Sequence, residues 1–137
     1  MYVAFGNKIV DSKELKEIIE TNTEFKVVKD MSKGSKREDI LAFNLSVDTN
    51  TLNNIMEEDY NENELTDDDL FEEYLTSAEE IATDIEEYIP AGAILDIRAY
   101  KWDQSNNDIK LIIAIAHETV GELKLRDIMK RLITQAE

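Results

Sequence analysis

The six residues from Leu111 to Ala116 are all apolar, and they limit the possible folds more than any other segment. An uninterrupted apolar run of this kind is typical of a strand at the centre of a sheet. The polar loop Asp103 to Asn107 separates it from a second strand-like run, Ala93 to Trp102. The sequence therefore predicts an antiparallel hairpin whose second strand, Asp108 to Ala116, is central.

Further strands are predicted in the first third of the chain. Tyr2 to Phe5 and Lys8 to Val10 flank Gly6-Asn7, which indicates a short hairpin or an edge strand. Phe25 to Val28 suggests another strand. The clearest alternation runs from Ile40 to Val47, with one face made of Leu41, Phe43, Leu45 and Val47 and the other of Ala42, Asn44 and Ser46.

Helical patterns fill the intervals between these strands. Asp11 and Glu14 have capping-box spacing, which predicts a helix from Ser12 to Glu20. A short helical segment is expected from Leu52 to Glu58. From Leu70 to Ile89 apolar residues recur every three or four positions, so we expect one helix there, or two joined near Ser77. A closing amphipathic helix is predicted after Thr119.

These patterns predict an α+β fold with a small antiparallel sheet and about three to four helices. A chain of 137 residues suits a single hydrophobic core, so we expect one domain over residues 1–137. Within it, residues 52–89 form an acidic helical segment. At 42%, apolar residues are abundant enough for the chain to fold.

The negative charge is concentrated in the middle of the chain. The formal net charge is −16, and no lysine or arginine occurs between Arg37 and Arg98. That interval holds nineteen of the 31 acidic residues, while the rest of the chain carries all fifteen basic residues and twelve acids. The chain is therefore an ordinary domain with a strongly anionic middle.

Ten acids fall between the apolar positions of the helix predicted for residues 67–87, so we expect one buried face and one face of carboxylates. At about 1.5 Å per residue this helix would be roughly 30 Å long and carry about one charge per 3 Å. A DNA strand carries about one charge per 3.4 Å, so a groove built for phosphates would meet a similar field. The candidate partner-binding residues are Glu57, Glu58, Asp59, Glu62, Glu64, Asp67, Asp68, Asp69, Glu72, Glu73, Glu79, Glu80, Asp84, Glu86 and Glu87.

A plain solvated face or adaptation to high salt would also produce an acidic helix. Solvated faces usually interleave lysine with glutamate, because like charges at i,i+4, such as Asp68 with Glu72, cost a few tenths of a kcal/mol. Adaptation to salt would spread the acids over the chain, whereas here they are segregated. We therefore favour a surface that binds a cationic protein groove.

A calcium site would account for part of the acidic stretch in a different way. Asp59 to Leu70 has oxygen ligands at the first, third, fifth and ninth positions of an EF-hand loop. Glu64 stands where that loop needs glycine, and Leu70 stands where it needs a bidentate glutamate. The sequence therefore disfavours an EF-hand and leaves weak divalent-cation binding open.

Catalytic and cofactor motifs are absent from the sequence. The chain has no cysteine and a single histidine, His117, which excludes thiolate chemistry and the usual zinc clusters. It also has no phosphate-binding glycine loop and no Gly-x-Ser-x-Gly. We expect no enzyme activity and no cofactor, a structural role for His117, and packing at the sheet edge for Trp102.

The net charge and the N-terminal sequence indicate which partners and which cellular compartment to expect. A net charge of −16 would repel nucleic acids and acidic membranes, so we expect direct binding to neither. The N-terminus lacks the basic head and apolar run of a signal peptide, and the absence of cysteine suits a reducing compartment. We expect a cytoplasmic protein.

A small, cysteine-free chain whose lysine-poor middle is dense in Asp, Glu and Asn resembles the acidic anti-defence proteins of bacteriophages. These are anti-restriction DNA mimics and some anti-CRISPR proteins. The resemblance covers size, charge and the stretch from Glu57 to Glu87, and carries over only the anionic character of that stretch. It implies an inhibitor in the host cytoplasm that occupies the basic groove of a CRISPR effector or restriction nuclease, in competition with nucleic acid and sensitive to salt.

Two further hypotheses stay open. A bacterial immunity protein or antitoxin would use the same acidic surface to cover the active site of a basic nuclease toxin. A small enzyme with clustered carboxylates and a divalent metal would differ from both, because it would bind metal tightly and stoichiometrically. The sequence does not indicate the target or the oligomeric state.

Overall fold

The computed structural model describes residues 2–56 and 67–136, apart from the side chains of Ile55, Met56 and Asp67. The strands are β1 (Tyr2–Phe5), β2 (Lys8–Asp11), β3 (Lys26–Asp30), β4 (Ile40–Asp48), β5 (Ala93–Asp103) and β6 (Asp108–His117). The helices are α1 (Ser12–Asn22), α2 (Thr49–Met56), α3 (Asp67–Ala82) and α4 (Glu122–Ala136), with shorter 3₁₀ segments at Ser32–Ser35, Thr83–Tyr88 and Glu118–Val120. The predicted α+β class is confirmed. None of the described helices is long and apolar enough to cross a membrane.

Four strands form the larger sheet, in the order β3-β4-β6-β5, and all neighbours are antiparallel. Ile113 in β6 lies opposite Phe43 in β4 and Ile97 in β5, so β6 has a partner on each side. The predicted central position of this apolar strand is confirmed. The β1–β2 hairpin forms a separate two-stranded sheet, and its turn contains Gly6 at a φ of +61°.

The larger sheet is covered on both faces, which makes three layers. One face packs against α1, α2, α3 and the 3₁₀ segment Thr83–Tyr88, and its fully buried residues include Leu41, Phe43, Leu111, Ile113 and Ile115. The other face packs against α4, with Ile40, Ala42, Ile112, Ala114 and Ala116 buried there. The β4 face that contains Ala42, Asn44 and Ser46 is therefore mostly buried: Ser46 is 6% exposed and Ala42 is fully covered.

The N-terminal helix begins where the sequence places it. The Asp11 side chain accepts a hydrogen bond from the Lys13 backbone N–H at 3.1 Å, as an N-cap does. At the other end α1 continues to Asn22, two residues beyond the predicted end, and the Thr23 hydroxyl donates to the Ile19 carbonyl. The apolar side of α1 buries Leu15 and Ile19.

The long acidic helix is continuous through Ser77 and changes geometry later in the chain. It is α-helical from Asp67 to Ala82 and tightens into a 3₁₀ segment from Thr83 to Tyr88, so the alternative of a junction near Ser77 is wrong. Tightening of the last turns is common at helix C-termini. Its buried side consists of Tyr74, Ser77, Ala78, Ala82 and Ile85.

A β-bulge in β5 decides which way Trp102 faces. The pairing with β6 shifts between Ala99 and Lys101, so the alternation of side chains reverses there. Tyr100 stays on the α4 side, as Ile94 does, whereas Trp102 turns to the α3 side. The Trp102 ring stacks on Phe71 at 6.4 Å and meets Tyr74 edge-on at 5.0 Å, which confirms its predicted role in edge packing.

An aspartate on β5 lies beneath α4. Asp96 pairs with Ala114, whose side chain belongs to the α4-facing core. The Asp96 Oδ2 atom is buried and has no hydrogen-bond partner in the part of the chain that the structure describes. Burial raises the pKa of Asp96, although the charges of Arg98 and Arg126 act in the opposite direction. Burial of the ionised form therefore costs stability.

We expect Asp96→Asn to raise the melting temperature at neutral pH. Because the folded state binds the Asp96 proton more tightly than the unfolded state, the wild type loses stability as pH rises from the ordinary carboxyl range through the raised pKa. The advantage of the variant should therefore be complete at neutral pH, shrink as the pH falls through the raised pKa, and disappear below about pH 4, where the carboxyl group is protonated in both states. Thermal unfolding followed by circular dichroism over a pH series measures this, with Asp127→Asn as an exposed control on α4. A variant less stable than wild type at neutral pH would contradict the inference that the buried Asp96 carboxylate destabilises the fold.

Candidate partner-binding surface

Among the side chains that the structure describes, seven carboxylates cover the outer side of α3 and the following 3₁₀ segment. The buried positions turn toward the sheet, so the residues between them point away from it. We call the exposed carboxylates of this face the acidic surface, and they are Asp68, Asp69, Glu72, Glu80, Asp84, Glu86 and Glu87. The buried and acidic faces predicted for this helix are therefore present in the described residues.

The spacing between exposed carboxylates along the helix axis is wider than the spacing expected from the sequence. From Asp68 to Ala82 the α-helix advances about 21 Å, and the 3₁₀ segment to Glu87 adds about 10 Å. Seven exposed acids over this length give about one charge per 4–5 Å, against about 3.4 Å for a DNA strand. The acidic surface thus provides roughly three quarters of the charge density of one phosphate backbone.

Two of the predicted residues, Glu73 and Glu79, are half-buried, and Glu79 has a structural partner. Its Oε1 accepts a hydrogen bond of 3.0 Å from the Ala99 backbone N–H, next to the bulge in the edge strand β5. A longer contact of 3.4 Å joins Glu20 Oε2 to the Val27 N–H beside the bulge of β3, the opposite edge. Glutamates from the covering layer therefore engage backbone groups at both edges of the sheet, where exposed strands invite aggregation.

Part of the predicted surface lies outside the described residues. This applies to Glu57, Glu58, Asp59, Glu62 and Glu64, to most of the possible calcium loop, and to the side chain of Asp67. Asp67 itself begins α3. Within the ranges 2–56 and 67–136, no three His, Asp or Glu side chains converge as a metal site requires.

Like charges lie close together along the acidic surface. Asp68 and Glu72 are four residues apart on α3, and Glu80 precedes Asp84 by four residues at the end of the helix. Each such pair costs a few tenths of a kcal/mol in an isolated helix. The ion pairs Arg37–Asp39 and Lys110–Asp108 both lie outside this surface.

His117 lies at the end of β6, where its ring packs within the fold. The ring meets Phe5 edge-on at 5.3 Å, and its Nδ1 is 2.9 Å from the Thr119 hydroxyl. A Cβ at Gly6 would stand 2.9 Å from the ring, so the hairpin turn needs glycine both for this contact and for its positive φ. These contacts give His117 the structural role that the sequence indicated.

A groove between α1 and the 3₁₀ segment was not indicated by the sequence. It consists of two surface depressions of 330 Å³ and 370 Å³, and both are lined by Glu87 and Tyr88. We call it the Tyr88 groove. Sequence periodicity assigned Ile18 and Tyr88 to buried stripes, but their side chains are 38% and 36% exposed. Local spacing gave no signal for it, because α1 and the 3₁₀ segment are about sixty residues apart in the chain.

Comparison with known proteins adds no family or neighbour to this description. No protein-family model matches the chain, and no similar chain is found among curated proteins or solved structures.

We expect Glu79→Ala to lower the free energy of unfolding by about 1–2 kcal/mol, because it leaves the Ala99 N–H without its carboxylate acceptor. Glu79→Gln keeps an acceptor oxygen at this position and should retain most of the stability. Urea denaturation with an unchanged m-value measures the difference. Glu80→Ala, at the adjacent exposed position, is the matched control and should change stability little. If the Gln and Ala variants were equally destabilised, the charge of Glu79 would matter rather than its hydrogen bond.

Proposed function

We propose that this protein is an inhibitor that binds a nucleic-acid-processing defence enzyme, of the anti-CRISPR or anti-restriction type. It presents the acidic surface to the basic groove that normally holds nucleic acid. Its carboxylates contact the lysine and arginine side chains that otherwise bind guide RNA or target DNA. Inhibition is therefore competitive with nucleic acid and weakens as salt rises.

The observation that carries this proposal is the row of seven exposed carboxylates on α3 and the 3₁₀ segment. The row lies in a sixty-residue interval without lysine or arginine, so its own segment supplies no compensating cation. A solvated helix gains nothing from like charges at i,i+4, whereas a surface that meets a cationic groove gains from every one. The loss of folding stability caused by repulsion between these carboxylates is thus explained by a gain in binding to a cationic groove.

The dimensions of the acidic surface also suit a nucleic-acid groove. A length of about 31 Å corresponds to roughly nine base steps of one DNA strand at about 3.4 Å each. The row is carried by a helix whose inner side is anchored by buried residues such as Tyr74 and Ala78. A rigid row of charges loses little conformational entropy on binding, which favours a mimic over a disordered acidic segment.

The decisive experiment removes charge without changing side-chain size. A quadruple variant, Asp68→Asn, Glu72→Gln, Asp84→Asn and Glu87→Gln, is compared with a control that neutralises four exposed acids elsewhere: Glu17→Gln, Glu38→Gln, Glu118→Gln and Asp127→Asn. Both variants change the net charge by the same amount. Each is immobilised and exposed to lysates that contain CRISPR effectors, restriction enzymes and nuclease toxins, and the bound proteins are eluted at about 0.5 M salt.

We expect wild type and control to capture a basic nucleic-acid-binding enzyme that salt releases, and the quadruple variant to lose it. The quadruple variant should also unfold at a slightly higher temperature, because it removes like-charge pairs, so its loss of binding will not reflect misfolding. Equal capture by both variants would refute the acidic surface as the binding determinant. If the captured protein were a nuclease toxin, the chain would be an immunity protein that uses the same surface.

A further inference from the structure

The Tyr88 groove exposes apolar side chains of β2, α1 and the 3₁₀ segment, namely Ile9, Ile18 and Tyr88. The depression on one side of Tyr88 is floored by the buried Phe25 and the half-buried Ile81, and that on the other side is lined by the exposed Ile9 and Ile18. The Ile9 side chain is 74% exposed, although it belongs to a strand. Clustered exposed apolar groups of this kind mark sites of interaction with other molecules.

Acidic side chains surround these apolar residues. Glu14 and Glu24 come from the N-terminal region, Asp84 and Glu87 come from the 3₁₀ segment, and all four are exposed. Among the described residues that line the groove there is no lysine or arginine. The N-terminal region contains several lysines, so the lack of cations here is a result of folding rather than of local composition.

In helix α1, acidic and basic side chains lie on different sides relative to the groove. It contains lysine and glutamate in alternation, yet Glu14 lines the groove while Lys13 and Lys16 do not. Glu14 and Ile18 are four residues apart and therefore lie on the same side of the helix. The side that faces the 3₁₀ segment is thus both apolar and acidic.

We propose that the Tyr88 groove binds a segment of the partner protein in which arginine or lysine alternates with apolar side chains. The apolar side chains occupy the two depressions on either side of Tyr88. An arginine or lysine lays its aliphatic stem against the Tyr88 ring and places its charged end near Asp84 and Glu87. The acidic side chains around the groove favour a basic segment, and its apolar lining favours apolar side chains. A neutral or acidic segment should therefore bind more weakly.

This inference rests on the proposed function and makes it more specific. Asp84 and Glu87 belong both to the acidic surface and to the groove, so the two surfaces are continuous. A row of carboxylates attracts basic grooves of many kinds, because long-range electrostatic attraction depends on the partner's charge and only weakly on its shape. The groove supplies the short-range contacts that distinguish one basic partner from another.

A peptide titration tests the groove and does not require the partner to be identified. Backbone amide resonances of the full chain are followed by NMR while either of two peptides is added. One peptide alternates arginine with leucine and tryptophan, and the other has the same charge but alternates arginine with glycine. We expect the glycine peptide to perturb the resonances of Asp68 and Glu72, which belong to the acidic surface only, and the amphipathic peptide to perturb those of Ile18 and Tyr88 as well.

Variants show whether the apolar residues carry the binding. Tyr88→Ala and Ile18→Ser should each weaken binding of the amphipathic peptide about tenfold and leave its salt dependence unchanged. Leu123→Ser removes another exposed apolar side chain, 75% exposed and on α4, and should have no effect. Because Tyr88 and Ile18 are both partly exposed, the variants should fold, which circular dichroism verifies.

Each outcome separates the groove from the proposed function. If both peptides perturb Asp68 and Glu72 and neither perturbs Ile18 or Tyr88, the groove assignment is wrong and the proposed function stands. If only the resonances of Ile18 and Tyr88 shift, binding at the groove is supported and binding at the acidic surface is not. Equal binding of an uncharged leucine–tryptophan peptide would overturn the requirement for a basic segment. Shifts of groove resonances with protein concentration alone would identify a second copy of this chain as the occupant instead.

Discussion

The side chains of β4 and β6 are buried on both faces of the larger sheet, so both covering layers pack on the same two strands. Among the described residues, nine of the twelve largest fully buried side chains come from these strands, and burial of each contributes about 1.5–3 kcal/mol. The outer strands, β3 and β5, carry the bulges and the contacts with glutamates from the helical layer. The stability of the core therefore resides in the middle of the sheet, and irregular geometry is confined to its edges.

The acidic helix depends on this arrangement. Its repelling carboxylates each cost little, but their sum works against an isolated helix. Packing of Tyr74, Ala78, Ala82 and Ile85 against a rigid sheet offsets that cost, since tertiary contacts rather than intrinsic propensity provide most helix stability in proteins. The Tyr74 hydroxyl adds a hydrogen bond to Asn53 on α2. Anchoring of the inner side is what allows the outer side to carry several carboxylates without a lysine or arginine.

Most of the fold could be predicted from the sequence, because its strongest signals are local. The apolar run of β6, the alternation of β4 and the Asp11 cap each depend on neighbours in the chain. The bulge that turns Trp102 toward α3 could not be predicted, because it depends on the pairing of β5 with β6. The exposed acids of α3 followed from periodicity, whereas the hydrogen bond of Glu79 and the Tyr88 groove arise only when distant segments meet.

The sheet also separates two regions of opposite charge. On one side, α3 and its 3₁₀ extension carry ten acids and no lysine or arginine. On the other side, α4 exposes four basic residues, Lys124, Arg126, Lys130 and Arg131, against two acids. The charges of α3 and α4 therefore contribute an electric dipole that is directed through the thickness of the sheet. In the field of a cationic surface this dipole exerts a torque, so the protein rotates its acidic side forward before contact and fewer collisions are unproductive.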